Sequence, residues 1–320
     1  MSFPSFGPST TAEEVAAVFC DVIRGKNVLV TGTSLNSLGF ETARAIAQYA
    51  NLVVITGYNA ERLRLSEAAI KSEFPSANVR RLNLDLSSLA AVRRASKEVN
   101  GYPEPVHVLI HNAAATIGHF KRTVDGLESQ IATDLIGPFL FTKLIAAKIR
   151  AAKSATYTPR VVALTSIFHE YAQGIDLADM EHPDPAKYEP FKAYNQAKSA
   201  DILFMIELSR RSCGAIRGYS VSPGVALTNI QLKPESLDIF IASEIITPDL
   251  KPNRIKLSWK TIPESAATTL VAAFDPRLDD KPGAYLDDCN VADIAGPNIL
   301  DADLPGRLWS TIENIIGESF

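Results

Sequence analysis

Short apolar runs alternate with longer amphipathic stretches between residues 28 and 222, and this rhythm restricts the fold more than any other feature of the chain. Val28-Leu29-Val30-Thr31, Leu52 to Thr56, Val79 to Leu84, Val106 to Ile110, Val161 to Leu164 and Arg217 to Ser222 read as six strands. Between them, Phe40 to Ala50, Ala60 to Phe74, the stretch from the cap Ser87-Ser88 to Val99, Gly126 to Arg150 and Tyr194 to Arg211 read as helices. Pro138 is expected to bend or break the fourth of these, because proline lacks the amide donor. Strands separated by a dozen or more residues of helix pair in parallel. The expected fold is therefore α/β, a doubly wound parallel sheet with helices on both faces, with ligands at the carboxyl ends of its strands.

Length and composition fit one large domain. The 320 residues are 46% hydrophobic, enough for a sizeable core, which excludes whole-chain disorder. We read residues 1–24 as an N-terminal arm with a helix at Ala12 to Ile23, and residues 25–320 as a single domain. Residues 168–192, rich in Asp, Glu, His and Pro, read as an exposed insertion. Residues 229–262 hold apolar side chains between prolines and read as one or two short helices lying over the site. With 36 acids against 32 bases, no basic face is imposed, which argues against a nucleic-acid partner. No uninterrupted apolar run approaches the ~18 residues of a membrane helix, and the first residues lack a signal-peptide pattern. Cys20, Cys213 and Cys289 are odd in number and lack metal-ligand spacing, so reduced thiols, no metal and a cytoplasmic location are expected.

Two local patterns carry chemistry. The first strand runs into Thr31-Gly32-Thr33-Ser34-Leu35-Asn36-Ser37-Leu38-Gly39 and then a helix, a context in which glycines let the backbone approach a pyrophosphate at the helix N-terminus. Tyr194-Asn195-Gln196-Ala197-Lys198 places a phenol and an ammonium on one helix face, where the lysine charge favours the phenolate. Tyr188 and Lys192 repeat that spacing but span Pro190 inside the acidic insertion, and are set aside. Thr165-Ser166 ends the fifth strand and puts a hydroxyl where a substrate carbonyl would lie. His169 reads as a loop histidine lining the pocket.

From about Gly25 onward the chain resembles the short-chain dehydrogenases/reductases, in particular their retinol-dehydrogenase-like and fungal oxidoreductase branches. The glycine turn is similar to the family's T-G-x-x-x-G-x-G, with one residue inserted and Ser37 for the middle glycine. Asp85-Leu86 resembles its adenine-contacting pair, and Asn112-Ala113-Ala114 its N-A-G. Ser166, Tyr194 and Lys198 match the catalytic serine and Y-x-x-x-K, and Pro223-Gly224-Val225 with Thr228 resembles the segment that closes on the nicotinamide. The resemblance implies a Rossmann-like domain with a C-terminal substrate lid. It implies cofactor contacts at Gly32, Ser34, Ser37, Leu38, Gly39, Tyr58, Asp85, Leu86, Asn112, Ala113, Tyr194, Lys198, Pro223, Gly224, Val225 and Thr228. Tyr194 is then the general acid or base, Ser166 holds the substrate oxygen, and Lys198 binds the ribose and depresses the tyrosine pKa.

One position departs from the pattern. Asp134 occupies the place of the family's catalytic asparagine, which helps hold a proton-relay water. An ionised Asp134 would pair with Lys198 and push the Tyr194 pKa up. No acid follows the second strand at Gly57-Tyr58-Asn59, and Arg62 lies one turn on, which favours NADP(H) over the alternative NAD(H). The resulting expectation is an oxidoreductase, of carbonyl-reductase type, acting on a small-molecule ketone or alcohol. A bulky lipophilic compound such as a secondary metabolite suits the lid, and a homodimer is compatible. The rival is a catalytically weak, NADP-binding relative acting as a sensor or interaction module, favoured by Ser37, Ala114 and Asp134; a nucleotide-sugar enzyme of the same fold is a third reading.

Overall fold

Alternate residues of each central strand feed two separate cores, one on either side of the sheet. In strand β1 (Asn27–Val30), Leu29 faces one core while Val28 and Val30 face the other. The same division holds in β2 (Leu52–Gly57), β3 (Val79–Asn83), β4 (Val108–His111) and β5 (Arg160–Leu164), where for instance Leu109 and Val108 part company. Burial on both faces is what the near-continuous apolar strands of the sequence require. The computed structural model describes residues 3–172, 174–294 and 301–320.

The first core is closed by helices α5 (Leu89–Asn100), α7 (Gly137–Arg150), α9 (Pro190–Arg211) and α12 (Leu304–Ile316). The second is closed by α1 (Ala12–Val18), α3 (Leu38–Ala47), α4 (Ala60–Glu73) and α11 (Ile262–Phe274). The sheet runs β3-β2-β1-β4-β5-β6-β9-β10, with β6 at Arg217–Val221, β9 at Tyr285–Asp287 and β10 at Asn290–Ala292. Every neighbouring pair is parallel except β9 with β10. The doubly wound parallel architecture is therefore as expected, and its order reverses between β1 and β4, where such sheets bind ligands.

Several local expectations are corrected. The N-terminal helix is two, α1 and α2 (Cys20–Ile23), and Val15, Phe19 and Ile23 are buried in the second core. Gly126 to Arg150 is not one bent helix: a short turn α6 (Ser129–Ile131) leads into a five-residue π-turn, Ala132–Ile136, before α7. Pro138 has no N–H to donate to the Asp134 carbonyl, so the helix widens one turn earlier, with Gly137 N–H reaching Ala132 O. Taken as one helical run, Ser129–Arg150 is long and apolar enough to cross a membrane, yet 78% of its apolar window is buried in the fold.

The helix carrying Tyr194 begins at Pro190, four residues earlier than expected, because proline is tolerated in a first helical turn. The stretch 168–192 holds a 3₁₀ turn (Ile167–Tyr171), helix α8 (Leu177–Glu181) and a second 3₁₀ turn, and it buries Met180 and Ala172 rather than being solvated throughout. Residues 229–262 form a single helix, α10 (Pro234–Ala242), followed by irregular chain. That chain ends in strand β8 (Trp259–Lys260), which pairs with β7 (Val225–Ala226) and ties the segment back beside Gly224.

Candidate active site

The strand order sets the candidate residues side by side along one cleft. Asp85 and Leu86 follow β3, Tyr58 follows β2, the glycine turn follows β1, Asn112 and Ala113 follow β4, Ser166 follows β5, and Pro223 and Gly224 follow β6. All of these line a single cavity of about 800 Å³, together with Ser34, Ser37, Leu38, Tyr194, Lys198, Val225 and Thr228. Gly39 and Asp134 stand outside the lining and act from behind it.

The glycine turn keeps its shape through substitutes. Gly32 sits at φ +71°, and a Cβ there would lie 2.7 Å from the Ala113 backbone. Asn36 takes a second left-handed position, φ 59°, which asparagine tolerates better than most residues. Ser37 does what a glycine cannot: it caps α3, accepting from Phe40 N–H at 3.1 Å and donating to Ser34 O at 2.7 Å. The first amides of α3 have no acceptor within the helix, so the cavity wall at Ser34 to Leu38 suits a phosphate. Thr31, unremarked in the sequence, fastens this turn to the next strand: its hydroxyl accepts from the Asn112 and Ala113 amides at 3.0 Å each. Asn112 in turn donates to Thr31 O and Gly32 O at 2.9 and 3.0 Å.

Beyond the turn, Tyr58 is exposed and Asn59 caps α4 through the Arg62 amide. No carboxylate ends β2, and Arg62 lines the cavity without an ion-pair partner among the described residues. Asp85 is held by Ser87, whose amide and hydroxyl donate to it at 3.0 and 2.6 Å.

Ser166 caps the 3₁₀ turn at the end of β5, accepting from Phe168 N–H at 3.2 Å. His169 does not line the pocket; it is fully buried behind it, donating from Nδ1 to Ser166 O at 2.7 Å and packing edge-on against Tyr285. Tyr194 projects from α9 with Phe168 against its ring. Burial raises the Tyr194 pKa above its ordinary value; Lys198 and the Ser166 hydroxyl oppose that rise, and Asp134 and Asp201 add to it.

Lys198 is buried, and its ammonium meets three acceptors: Asp134 Oδ2 at 3.1 Å, Asp201 Oδ2 at 3.0 Å and Leu164 O at 3.1 Å. Asp134 also accepts from the Ala115 amide at 2.7 Å and from Gln130 at 2.8 Å. Burial disfavours the lysine charge, but the two carboxylates outweigh it and hold Lys198 protonated. The expected Asp134–Lys198 pair is thus present, and a second acid faces it. Asp201 escaped the sequence reading, although its i,i+3 spacing from Lys198 was the available signal.

The far wall is apolar. Ile117, Phe168, Phe240 and Ile245 line the cavity and belong to a small cluster capped by α10. Asn229, from the segment leading into α10, donates to Leu35 O of the glycine turn and so bridges the cleft. Of the set-aside pair, Lys192 is exposed, while Tyr188 is half-buried, packing edge-on against Phe120 with its hydroxyl 3.4 Å from Glu128.

Residues 26–172 match the family of short chain dehydrogenases. The chain is 34% identical to the short-chain dehydrogenase TIC 32 A, chloroplastic, of Brassica napus, over 95% of this chain and 92% of that one. It is 31% identical to the polyprenol dehydrogenase of Mus musculus, over 89% and 82% of the two chains. Among solved structures, an uncharacterized protein from Mycobacterium Paratuberculosis superposes with a TM-score of 0.70 at 25% identity, over 94% of this chain and 98% of that one. With the doubly wound sheet, the glycine turn and the Ser166–Tyr194–Lys198 cluster on one cleft, these likenesses place the chain in the short-chain dehydrogenase family of oxidoreductases.

Proposed function

We propose that the protein is an NADP(H)-dependent oxidoreductase that interconverts a carbonyl and an alcohol on a lipophilic small molecule. The observation that carries this reading is the meeting, on one cavity, of a phosphate-shaped helix terminus and a phenol flanked by a hydroxyl and an ammonium. The residues present fit a dinucleotide. Ser34, Ser37 and Leu38 would hold its pyrophosphate, Asp85 and Leu86 its adenine, and Pro223 to Thr228 its nicotinamide. Arg62, with no carboxylate nearby at the end of β2, supports a 2′-phosphate and hence NADP(H). The bound cofactor supplies or accepts the hydride.

The chain's own contribution is the proton and the alignment. Ser166 orients the carbonyl oxygen, and Tyr194, protonated at neutral pH, gives its proton to that oxygen as the alcohol forms. In the opposite direction the phenolate takes the hydroxyl proton. Lys198 keeps a positive charge beside the phenol, and Asp134 with Gln130 and the Ala115 amide keeps Lys198 in place. The substitutions at Ser37 and Asp134 are built into this arrangement through a helix cap and an ion pair, which supports an enzyme over a non-catalytic relative.

The apolar wall of Ile117, Phe168, Phe240 and Ile245 supports a lipophilic substrate. Each buried methylene contributes about 0.8 kcal/mol. In a homologous series of ketones, kcat/KM with NADPH should therefore rise about three- to fourfold per added methylene until the cavity is filled. A flat series, or a preference for small polar carbonyls, would remove the lipophilic reading.

A further inference from the structure

Asp201 has no part in the mechanism above, yet it is almost completely buried and touches the lysine at the centre of the site. An ammonium has three N–H donors. Two of those of Lys198 go to Asp201 and Leu164 O, at 3.0 and 3.1 Å, and Asp134 Oδ2 stands at ion-pair distance, 3.1 Å, while the nitrogen lies 5.8 Å from the Tyr194 ring centre. The lysine charge is thus shared between two buried acids and the phenol it is placed to stabilise. One ammonium between two ionised carboxylates leaves a net negative charge buried next to Tyr194, and a negative charge there favours the neutral phenol.

We propose that Asp201 is a positioning residue that, together with Asp134, fixes the Lys198 ammonium and offsets its charge beside Tyr194, and so keeps the phenol protonated into the alkaline range. The proposal rests on the oxidoreductase reading for its catalytic consequence, but not for its geometry. Its effect is on the pH window. The phenol is the form that donates in carbonyl reduction and the phenolate is the form that accepts in alcohol oxidation. The alkaline fall of the first and the alkaline rise of the second report one group and must move together.

The two acids are not equivalent. Asp134 accepts from Ala115 and Gln130 and stands at ion-pair distance from the lysine, while among the described residues Asp201 accepts from Lys198 alone. Burial and the Asp134 charge push the Asp201 carboxyl up to about 7, against which Lys198 works. Asp201 is therefore ionised across the alkaline range in which Tyr194 titrates. Of the other ionisable groups on elements packed against α9, Glu170 and Tyr171 of the 3₁₀ turn are exposed to solvent and the rest are engaged elsewhere. Arg160 and Arg217 pair with Asp279, Tyr219 donates to Leu278 O, and His169 to Ser166 O. Arg307 pairs with Asp301, Glu313 accepts from the Phe320 amide, and Glu128 caps α6.

The test uses the full chain with Asp201→Asn, Asp201→Glu, Asp134→Asn and Tyr194→Phe. Ultraviolet tyrosinate absorbance is titrated in cofactor-free protein, the Tyr194→Phe curve is subtracted, and the pH dependence of kcat/KM is measured in both directions. Asp201→Asn should lower the Tyr194 titration and both kinetic limbs by about one pH unit, the scale of one unit charge in a partly polarisable site. Asp134→Asn should move them the same way, and Asp201→Glu, which restores the charge, should leave them at the wild-type position. A natively melting Asp201→Asn protein whose tyrosinate titration does not move overturns the proposal, as does an Asp201→Glu protein that behaves like the asparagine variant. Should Asp201→Asn fail to fold, an Asp134→Asn titration that stays at the wild-type position overturns it equally. If the titration shifts but no carbonyl is turned over, the oxidoreductase reading fails and the coupling stands. If turnover is present and the titration is fixed, only the coupling fails.

Discussion

Replacing Tyr194 by Phe lowers carbonyl reduction by about 10²–10⁴-fold, the usual contribution of a positioned general acid, while NADPH binding stays within about twofold. The variant is a clean one. Phenylalanine fills the same volume, keeps the ring against Phe168, and leaves the Lys198–Asp134–Asp201 cluster untouched. What disappears is the proton. Ser166 cannot replace it: its oxygen accepts from Phe168 N–H, and its hydroxyl proton, though free to hydrogen-bond, belongs to a far weaker acid than a phenol. The loss should fall on kcat more than on KM, because the proton moves only as the reaction proceeds. Near wild-type turnover in Tyr194→Phe, with the cofactor still bound, would remove Tyr194 from the proton transfer.

Gly39→Ala should disable the cofactor cleft without replacing any residue that lines it. A Cβ at this position would lie 2.3 Å from Asn112 Nδ2 and 2.5 Å from Gly32 O. Neither neighbour is free to retreat. Gly32 O belongs to the turn itself, and the Asn112 amide is bonded to Thr31 O and Gly32 O. Either α3 moves away from the turn or Asn112 gives up both bonds. Overpacking of this kind costs about 1–3 kcal/mol, enough to lower Tm by several degrees. Because the same shift moves the helix terminus, NADPH affinity should fall about tenfold or more, the equivalent of roughly 1.4 kcal/mol. Gly7→Ala, where nothing lies within 4 Å, is the control and should change neither quantity. Unaltered Tm and affinity in Gly39→Ala would show that the turn does not depend on this close approach.

Most of the sheet was legible because both faces of each central strand are buried, which leaves short apolar runs that stand out against the helices. The glycine turn and the Tyr194–Lys198 pair were legible from residue type and spacing. The remainder depended on tertiary contacts that spacing does not carry. Pro190 opens a helix instead of blocking one, since only its position in the first turn decides the outcome. Pro138 produces a π-turn upstream of itself because the lost hydrogen bond belongs to the Asp134 carbonyl. His169 looks like a pocket residue in sequence, but the 3₁₀ turn rotates it into the core. Asp201 lies on a helix rich in polar side chains, and nothing in the order of its neighbours distinguishes a buried acid from a solvated one until α9 is packed on β5 and the π-turn.

Titration of the purified chain with NADPH and with NADH, followed by nicotinamide fluorescence, tests the central claim most directly. The cleft built from Gly32 to Gly39, Arg62 and the Tyr194–Lys198 face predicts saturable binding of NADPH, tighter than that of NADH. Binding of neither would contradict the account: Ser37 and the extra residue would then have spoiled the phosphate turn, and the proposed chemistry at Tyr194 would have no hydride to work with.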